Sequence, residues 1–474
     1  MKYLKNLRLI LLLSLLALAG CETLTSLRQD FADKVFGREP PNPPAALQAF
    51  APTYAVKVDW SSNIGKTERY DYTPALDSSA VYANNAAGEI VKLDASNGRQ
   101  LWRINIGEPI SGGIGLGAGI LFVGSKTGNL HAIDAAGKPL WKAKVSSEIL
   151  SVPRYFDGMV IVRTGDNHIF GLDATDGSRK WVYERTTPAL SLRSSVGIVV
   201  DGGAVYAGFA GGKMVAIRAD NGKLLWEATI AQPKGVTEIE RIADITSLPV
   251  VDGPLVYAVA YQGRVAAVDR RSGKVVWNRD ISSYTGMNAD DGKVFVSHAL
   301  GSVYSLDYET GKTFWRQAGL LNRRLSAPLP MGSVVAVGDL EGYLHFLTRD
   351  EGSFAARIKL DSNAVMALIP GASSKQLIAE TRDGGLYAIS IADANVAPAS
   401  KQPAKAMEPK PIESNPSEPA PEAAKPESKS EPNASDAERS IMFQKDPLFQ
   451  KEPGLSPDAP SDNNSGPGIR LPSN

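Results

Sequence analysis

Short segments in which apolar and polar residues alternate recur along most of this chain. GEIVKLDASNGRQLW, GNLHAIDAAGKPLW, GRVAAVDRRSGKVVW and GSVYSLDYETGKTFW each place two such segments around a polar turn. Alternation at period two predicts strands, and Asn97-Gly98, Asp176-Gly177 and Asn221-Gly222 are strong hairpin signals. A further pair of short apolar segments lies upstream in each unit, as in GILFVGS and GKVFVSH. Four antiparallel strands repeated roughly every 40 residues predict propeller blades. A helical solenoid would need apolar spacing near 3.6, which these segments lack.

A fixed set of residues marks the unit. Trp102, Trp141, Trp181, Trp226, Trp277 and Trp315 each follow a glycine four positions earlier, from Gly98 and Gly137 to Gly273 and Gly311. Asp94, Asp173, Asp269 and Asp307 stand eight residues before their Trp. A seventh copy keeps Gly352 but carries Ala356 in the Trp position. Seven complete units span about Thr73 to Leu360, and an eighth supplies three strands ending near Ser390. YAVKVDW, from Tyr54 to Trp60, is available as the missing strand. An N-terminal strand there would close the ring and remove an open sheet edge. The expected fold is therefore all-β, an eight-bladed β-propeller of four-stranded antiparallel blades closed by an N-terminal strand. Seven copies of one Trp are a structural repeat rather than an active site.

The ends follow different rules. Lys2, Lys5 and Arg8 precede an apolar run from Leu9 to Leu18, too short for a permanent span, so residues 1–20 read as a secretory signal. Leu18-Ala19-Gly20-Cys21 resembles the bacterial lipobox, which would make Cys21 the lipidated, palmitate-bearing N-terminus. It is the only cysteine, and a modified thiol is no liability in an oxidising compartment. Glu22 at the next position favours the outer membrane over the inner. Residues 21–53 form a tether in which Leu24, Leu27, Phe31 and Val35 have helix-like spacing, ended by Pro40, Pro41, Pro43 and Pro44. The propeller is assigned to 54–391. Residues 392–474 hold 15 of the 31 prolines among Ala, Ser, Glu and Lys, a composition that predicts a disordered tail.

Composition narrows the chemistry. Lys plus Arg equals Asp plus Glu at 51 each, which leaves no basic footprint for nucleic acid. The four histidines, His131, His168, His298 and His345, fall in different units and form no metal-ligand spacing. His131 and His345 share one repeat slot, filled elsewhere by Val91, Phe170, Val215, Ala266, Tyr304 and Tyr387, which reads as packing. No nucleophile triad, P-loop or phosphate-cradling glycine motif stands out. Neither catalytic residues nor a metal or cofactor are expected.

GKVVW, GKLLW and GKTFW with their upstream Asp resemble the tryptophan-docking repeats of quinone-dependent dehydrogenases, a likeness that carries architecture only. Those enzymes commonly place an adjacent cysteine pair over the cofactor, which a chain with one cysteine cannot supply. GVTEIERIADITSLPVV (235–251), AVAYQGRVAAVDRRSGKVVWNRDI (258–281) and VVAVGDLEGYLHFL (334–347) resemble the BamB family of lipoproteins, members of the outer-membrane β-barrel assembly machinery. The VGDLEGYLH run is the most specific of these. The resemblance implies a non-enzymatic scaffold, lipid-anchored on the periplasmic face of the outer membrane. It would bind the periplasmic domains of BamA, with nascent outer-membrane proteins as further partners. It also implies a contact surface that uses Leu190, Leu192 and Arg193, together with Arg241 and Asp244 in the EIxR-x-x-D segment. Thr246 stands where a second acid is expected. The two longest repeats carry their extra length at 186–195 and 231–247, where residues beyond the scaffold's need point to function. Two alternatives stay open on the residues alone: an envelope propeller that binds glycan or peptide in its channel, and a quinone-dependent dehydrogenase.

Overall fold

The computed structural model describes residues 42–67, 70, 72–186, 192 and 196–394. Cys21, the 23–36 segment, Leu190, Arg193 and the proline-rich tail lie outside the described residues. Eight four-stranded antiparallel sheets account for every described strand. Blade 1 runs from Ala75–Leu76 to Gln100–Asn105, and blade 2 from Ile110–Gly117 to Pro139–Lys144. Blade 3 runs from Arg154–Phe156 to Arg179–Tyr183, and blade 4 from Ile198–Asp201 to Leu224–Thr229. Blade 5 runs from Val250–Asp252 to Val275–Arg279, blade 6 from Gly286–Asp290 to Thr313–Gln317, and blade 7 from Leu329–Met331 to Phe354–Lys359. Blade 8 takes Val365–Pro370, Gln376–Thr381 and Gly385–Asp393 from the end of the ring. Its outer strand, Tyr54–Asn63, comes from the beginning. Tyr54 pairs with Asp393 and Asn63 with Gly385, so the N-terminal strand closes the ring as its alternation predicts.

Apolar burial holds the blades to one another. Among the described residues the core divides into eight clusters, each of which joins two neighbouring blades. Tyr82, Ile90, Leu121 and Val123 join blades 1 and 2. Trp60, Val81, Leu93, Ile378 and Leu386 join blades 8 and 1, which completes the circle. The second and third strands of each blade are buried on both faces, and so they read as nearly continuous apolar runs such as ILFVGS.

The repeat grammar has a single cause, which crosses from blade to blade. Trp60 donates its indole N–H to Ala95 O at 2.8 Å, and Trp181, two blades on from Trp102, donates to Ala219 O at 3.0 Å. Each Trp thus caps the hairpin between the third and fourth strands of the following blade. The glycine of that hairpin lies under the ring: a Cβ on Gly98 would sit 2.6 Å from Trp60, and one on Gly352 would sit 2.4 Å from Trp315. Both glycines hold positive φ, +70° and +71°, as the turn requires. The upstream Asp fastens the same turn, with Asp94 Oδ1 accepting Ser96 N–H at 2.9 Å.

This geometry explains Ala356. A Trp there would cap the corresponding hairpin of blade 8, but that blade's outer strand arrives from the N-terminus, so no such hairpin exists. Gly352 persists because it serves Trp315 of the preceding blade.

Antiparallel order gives the ring two distinct faces. Hairpins joining the first to second and third to fourth strands turn on one face, here the hairpin face. Hairpins joining the second to third strands, and the links between blades, lie on the other, the connector face.

Candidate docking surface

The links between described strands at 184–197 and 230–249 are the two longest, and both lie on the connector face between blades 3, 4 and 5. Asp244 joins them. Its carboxylate accepts the backbone N–H of Leu192 at 2.7 Å and that of Gly211 at 2.9 Å, while its own carbonyl accepts Tyr261 N–H at 2.9 Å. Asp244 is 4% exposed, so both oxygens are spent on organising loops. A buried carboxylate persists only when hydrogen bonds replace its lost water, as these two N–H groups do.

Leu192, 38% exposed, stands on the surface that Asp244 fixes from beneath. Arg241 is exposed, and Thr246 is half-buried with its hydroxyl 3.5 Å from Tyr284 O. The structure therefore brings Leu192 and Asp244 together and places Arg241 on the same loop.

The 236–241 segment is built by local capping. Glu240 accepts the N–H groups of Val236 and Thr237 at 2.8 and 3.0 Å, and Thr237 Oγ1 accepts Glu240 N–H at 3.2 Å. This reciprocal T-x-x-E pattern is a capping box, and it stiffens a one-turn loop. The turn raises Val236 and Ile239 to 96% and 62% exposure. Leu248, Tyr284, Leu300 and Leu321 extend the exposed apolar positions along the links and turns of blades 5 to 7. The contact residues implied by resemblance did not include Val236 or Ile239. The T-x-x-E spacing was their one sequence signal.

Below Leu192 lies a cavity of about 240 Å³ lined by Glu148, Arg163, Asn167, Asp244 and Thr246 among others. Arg163 is buried there, donating to Gly208 O and to Asn167 Oδ1, both at 2.6 Å, with its guanidinium 4.6 Å over the Phe209 ring. Burial pulls its pKa down to about 10, which leaves it charged at neutral pH.

The shared histidine slot is not simple packing. His131 Nε2 meets Glu108 Oε1 at 2.7 Å, and His345 Nε2 meets Asp339 Oδ2 at 2.9 Å. Each carboxylate comes from a link or turn outside the strand that carries its histidine, so periodicity could not show the pair. Burial would raise the Glu108 carboxyl, but bonds from Thr127, Asn129, Ser125 and His131 outweigh it and hold the group down at about 2. Among the described residues, no group of three His, Cys, Asp or Glu side chains is placed to hold a metal.

Comparison with known proteins agrees with this architecture. The family described as "Outer membrane protein assembly factor BamB" matches residues 86–317 and 299–421. A protein of that name from Burkholderia pseudomallei is 39% identical over 345 residues, covering 73% of this chain and 90% of its own length. The crystal structure of BamB from Moraxella catarrhalis superposes with a TM-score of 0.65 at 26% identity, covering 71% of this chain and all of that one. The quinohemoprotein alcohol dehydrogenase of Comamonas testosteroni reaches a TM-score of 0.58 at 15% identity over 71% of this chain, which shows a common fold and nothing more. By sequence match and by the propeller it folds into, this chain belongs to the BamB family.

Proposed function

We propose that this protein is a non-enzymatic scaffold of the machinery that assembles β-barrel proteins into the outer membrane. It is anchored there by a lipid on Cys21, on the periplasmic side, and its connector face binds the periplasmic domains of BamA. Relatives that cover most of the chain carry the name outer membrane protein assembly factor, which supports the process. One observation carries the choice of face: Asp244 is buried and spent on fixing two long loops that hold apolar side chains out in water. Ordering loops costs entropy, and exposing Val236 and Ile239 stabilises nothing in the isolated ring, so the arrangement suits a partner surface. Interface energy concentrates in a few apolar and Arg side chains, a role we assign to Leu190, Leu192, Arg193 and Arg241.

Affinity capture from solubilised membranes tests this. Val236→Ser with Ile239→Ser should leave the thermal midpoint unchanged, because surface changes stay within about 0.5 kcal/mol, while BamA recovery falls. Leu192→Ala with Arg193→Ala should abolish capture in a folded ring. Full recovery of BamA with both folded pairs would overturn the assignment of the face.

A further inference from the structure

The VGDLEGYLH run is the most specific sequence feature of the chain, and the docking surface leaves it unused. Its Asp339 is fully buried in the turn between the second and third strands of blade 7. The carboxylate accepts Arg323 Nε at 2.6 Å, the N–H groups of Glu341 and Tyr343 at 2.9 Å each, and the His345 ring at 2.9 Å. Arg357 Nε donates to His345 Nδ1 at 3.0 Å. An arginine can only donate, so Nδ1 is the acceptor and the proton sits on Nε2, facing Asp339. Glu341 pairs with the far side of the Arg323 guanidinium. Arg323 is only 2% exposed, and a charge so deep requires a reason.

The Nη1 ends of both arginines, and Asn322 beside them, reach one target, the segment that precedes the closing strand. Arg323 Nη1 donates to Ala45 O at 2.7 Å, Arg357 Nη1 to Gln48 O at 3.0 Å, and Asn322 Nδ2 to Pro43 O at 3.2 Å. Ala45 N–H returns a bond to Leu321 O at 2.9 Å. Phe50 stacks on Phe354 with centroids 5.5 Å apart, and the Arg357 guanidinium lies about 5 Å from both rings. At the far end Thr53 N–H bonds Ala355 O at 2.9 Å, and Tyr54 Oη meets Ser333 Oγ at 2.6 Å. Leu321 and Asn322 lie on the connector face, whereas Ser333 turns on the hairpin face. Residues 43–53 therefore cross the full height of blade 7.

We propose that the Asp339–Arg323–His345–Arg357 network is a receptor for the chain's own residues 43–50, and that seating them moves the exit of the N-terminus from the hairpin face to the connector face. The closing strand begins at Tyr54 on the hairpin face, so an unseated tether would leave from there. Seated, it leaves beside Leu321, on the face that carries Leu192 and Ile239. The strap thereby turns the docking face toward whatever holds the N-terminus, a consequence that rests on the lipid anchor proposed above. Recognition goes mainly through backbone carbonyls, which Pro43 offers as well as any residue although it has no N–H to satisfy.

Hydrogen exchange on the mature full-length chain tests the seating, without partner or membrane. The amide of Ala45, which bonds Leu321 O, should exchange slowly in the parent. With Phe50→Ala and Arg357→Gln together it should exchange about tenfold faster or more, while strand amides of blades 1 to 6 stay protected. Phe50→Ala alone removes only a strap side chain, so it cannot unfold the ring, and it should give a smaller loosening confined to the strap. Unchanged protection of Ala45 in both variants, or its fast exchange in the parent, would overturn the receptor. On vesicles that hold the lipidated protein, a fluorophore at position 236 should transfer energy to acceptor lipids better than one at 373, and the variant pair should erase the difference. Equal transfer from both positions in the parent would overturn the orientation. Failure of the protein to bind vesicles would count against the anchor, with the exchange result still deciding the strap.

Discussion

The two faces of this ring are made of the same strands and obey different rules. On the hairpin face seven third-to-fourth-strand hairpins repeat one device: an Asp or its substitute, a positive-φ glycine, and the Trp of the preceding blade lying over it. On the connector face no two links are alike. One buries Asp244 to order loops, another brings Glu108 to His131, and a third sends Arg323 outward to the N-terminal strap. The hairpin face meets a structural need that is the same in every blade, so its residues recur. The links between blades on the connector face each meet a different need, so their residues appear once, although the second-to-third-strand hairpins beside them share a positive-φ glycine, as at Gly88, Gly128 and Gly342. Asp244 and Asp339 mark the difference, because each accepts donors from more than one segment of the chain.

The closing strand tests the hairpin-face rule most severely. Deleting residues 54–63 removes Trp60 and leaves blade 8 with three strands and an open edge. We expect aggregation instead of a soluble ring, visible in size-exclusion chromatography.

Next comes the Trp series. Trp181→Ala should cost about 3–5 kcal/mol, as expected for a buried indole that also loses its bond to Ala219 O. Ala356→Trp should restore nothing, because blade 8 has no third-to-fourth-strand hairpin to cap, and crowding should cost about 1–3 kcal/mol. Denaturant midpoints of the two variants decide this. A stabilised Ala356→Trp chain would break the rule.

Asp244→Ala probes the opposite face. It leaves the N–H groups of Leu192 and Gly211 without their acceptor, a loss of roughly 2–3 kcal/mol if they stay dry and less if the loops open to water. The expected signature is fast exchange at Leu192 and Gly211 with the hairpin face unaffected, and with BamA capture reduced. Global unfolding instead would assign Asp244 to the ring core.

The smallest effect concerns pH. Burial holds His345 below its ordinary value near 6.5, although its bond to Asp339 acts in the opposite direction. A depressed histidine contributes stability that is complete above its unfolded pKa and is lost as pH falls from about 6.5 toward the folded value. Protonation would also remove the acceptor that Nδ1 offers Arg357. The thermal midpoint of the parent, minus that of His345→Asn, should shrink between pH 7 and pH 5. Glu108 loses its contribution at lower pH, from about 4.5 down toward 2, and so does not confuse the reading.

How much of this was legible follows the same division. Period-two alternation, the Gly–Trp spacing and the missing eighth Trp were enough to infer eight blades and the closing strand, because each feature is local or repeats. They also made Ala356 conspicuous, though its cause lies in a hairpin that the neighbouring blade lacks. The lengths of two links pointed to the connector face, and family resemblance supplied Leu192 and Asp244. That Asp244 lies buried under the surface and not upon it could not be read, because its two donors come from residues 192 and 211. Val236 and Ile239 were ordinary apolar letters until the capped turn held them out of the core. The sequence by itself determined the architecture of the ring, since a repeated pattern of apolar burial and turn geometry admits one closed arrangement. Only the tertiary structure decided which carboxylates are solvated by which distant donors, and it alone showed that Arg323, held by Asp339 of VGDLEGYLH, reaches a residue almost three hundred positions earlier in the chain. Contacts of that range leave no period in a sequence, because each is made once and between segments that only the closed ring brings together.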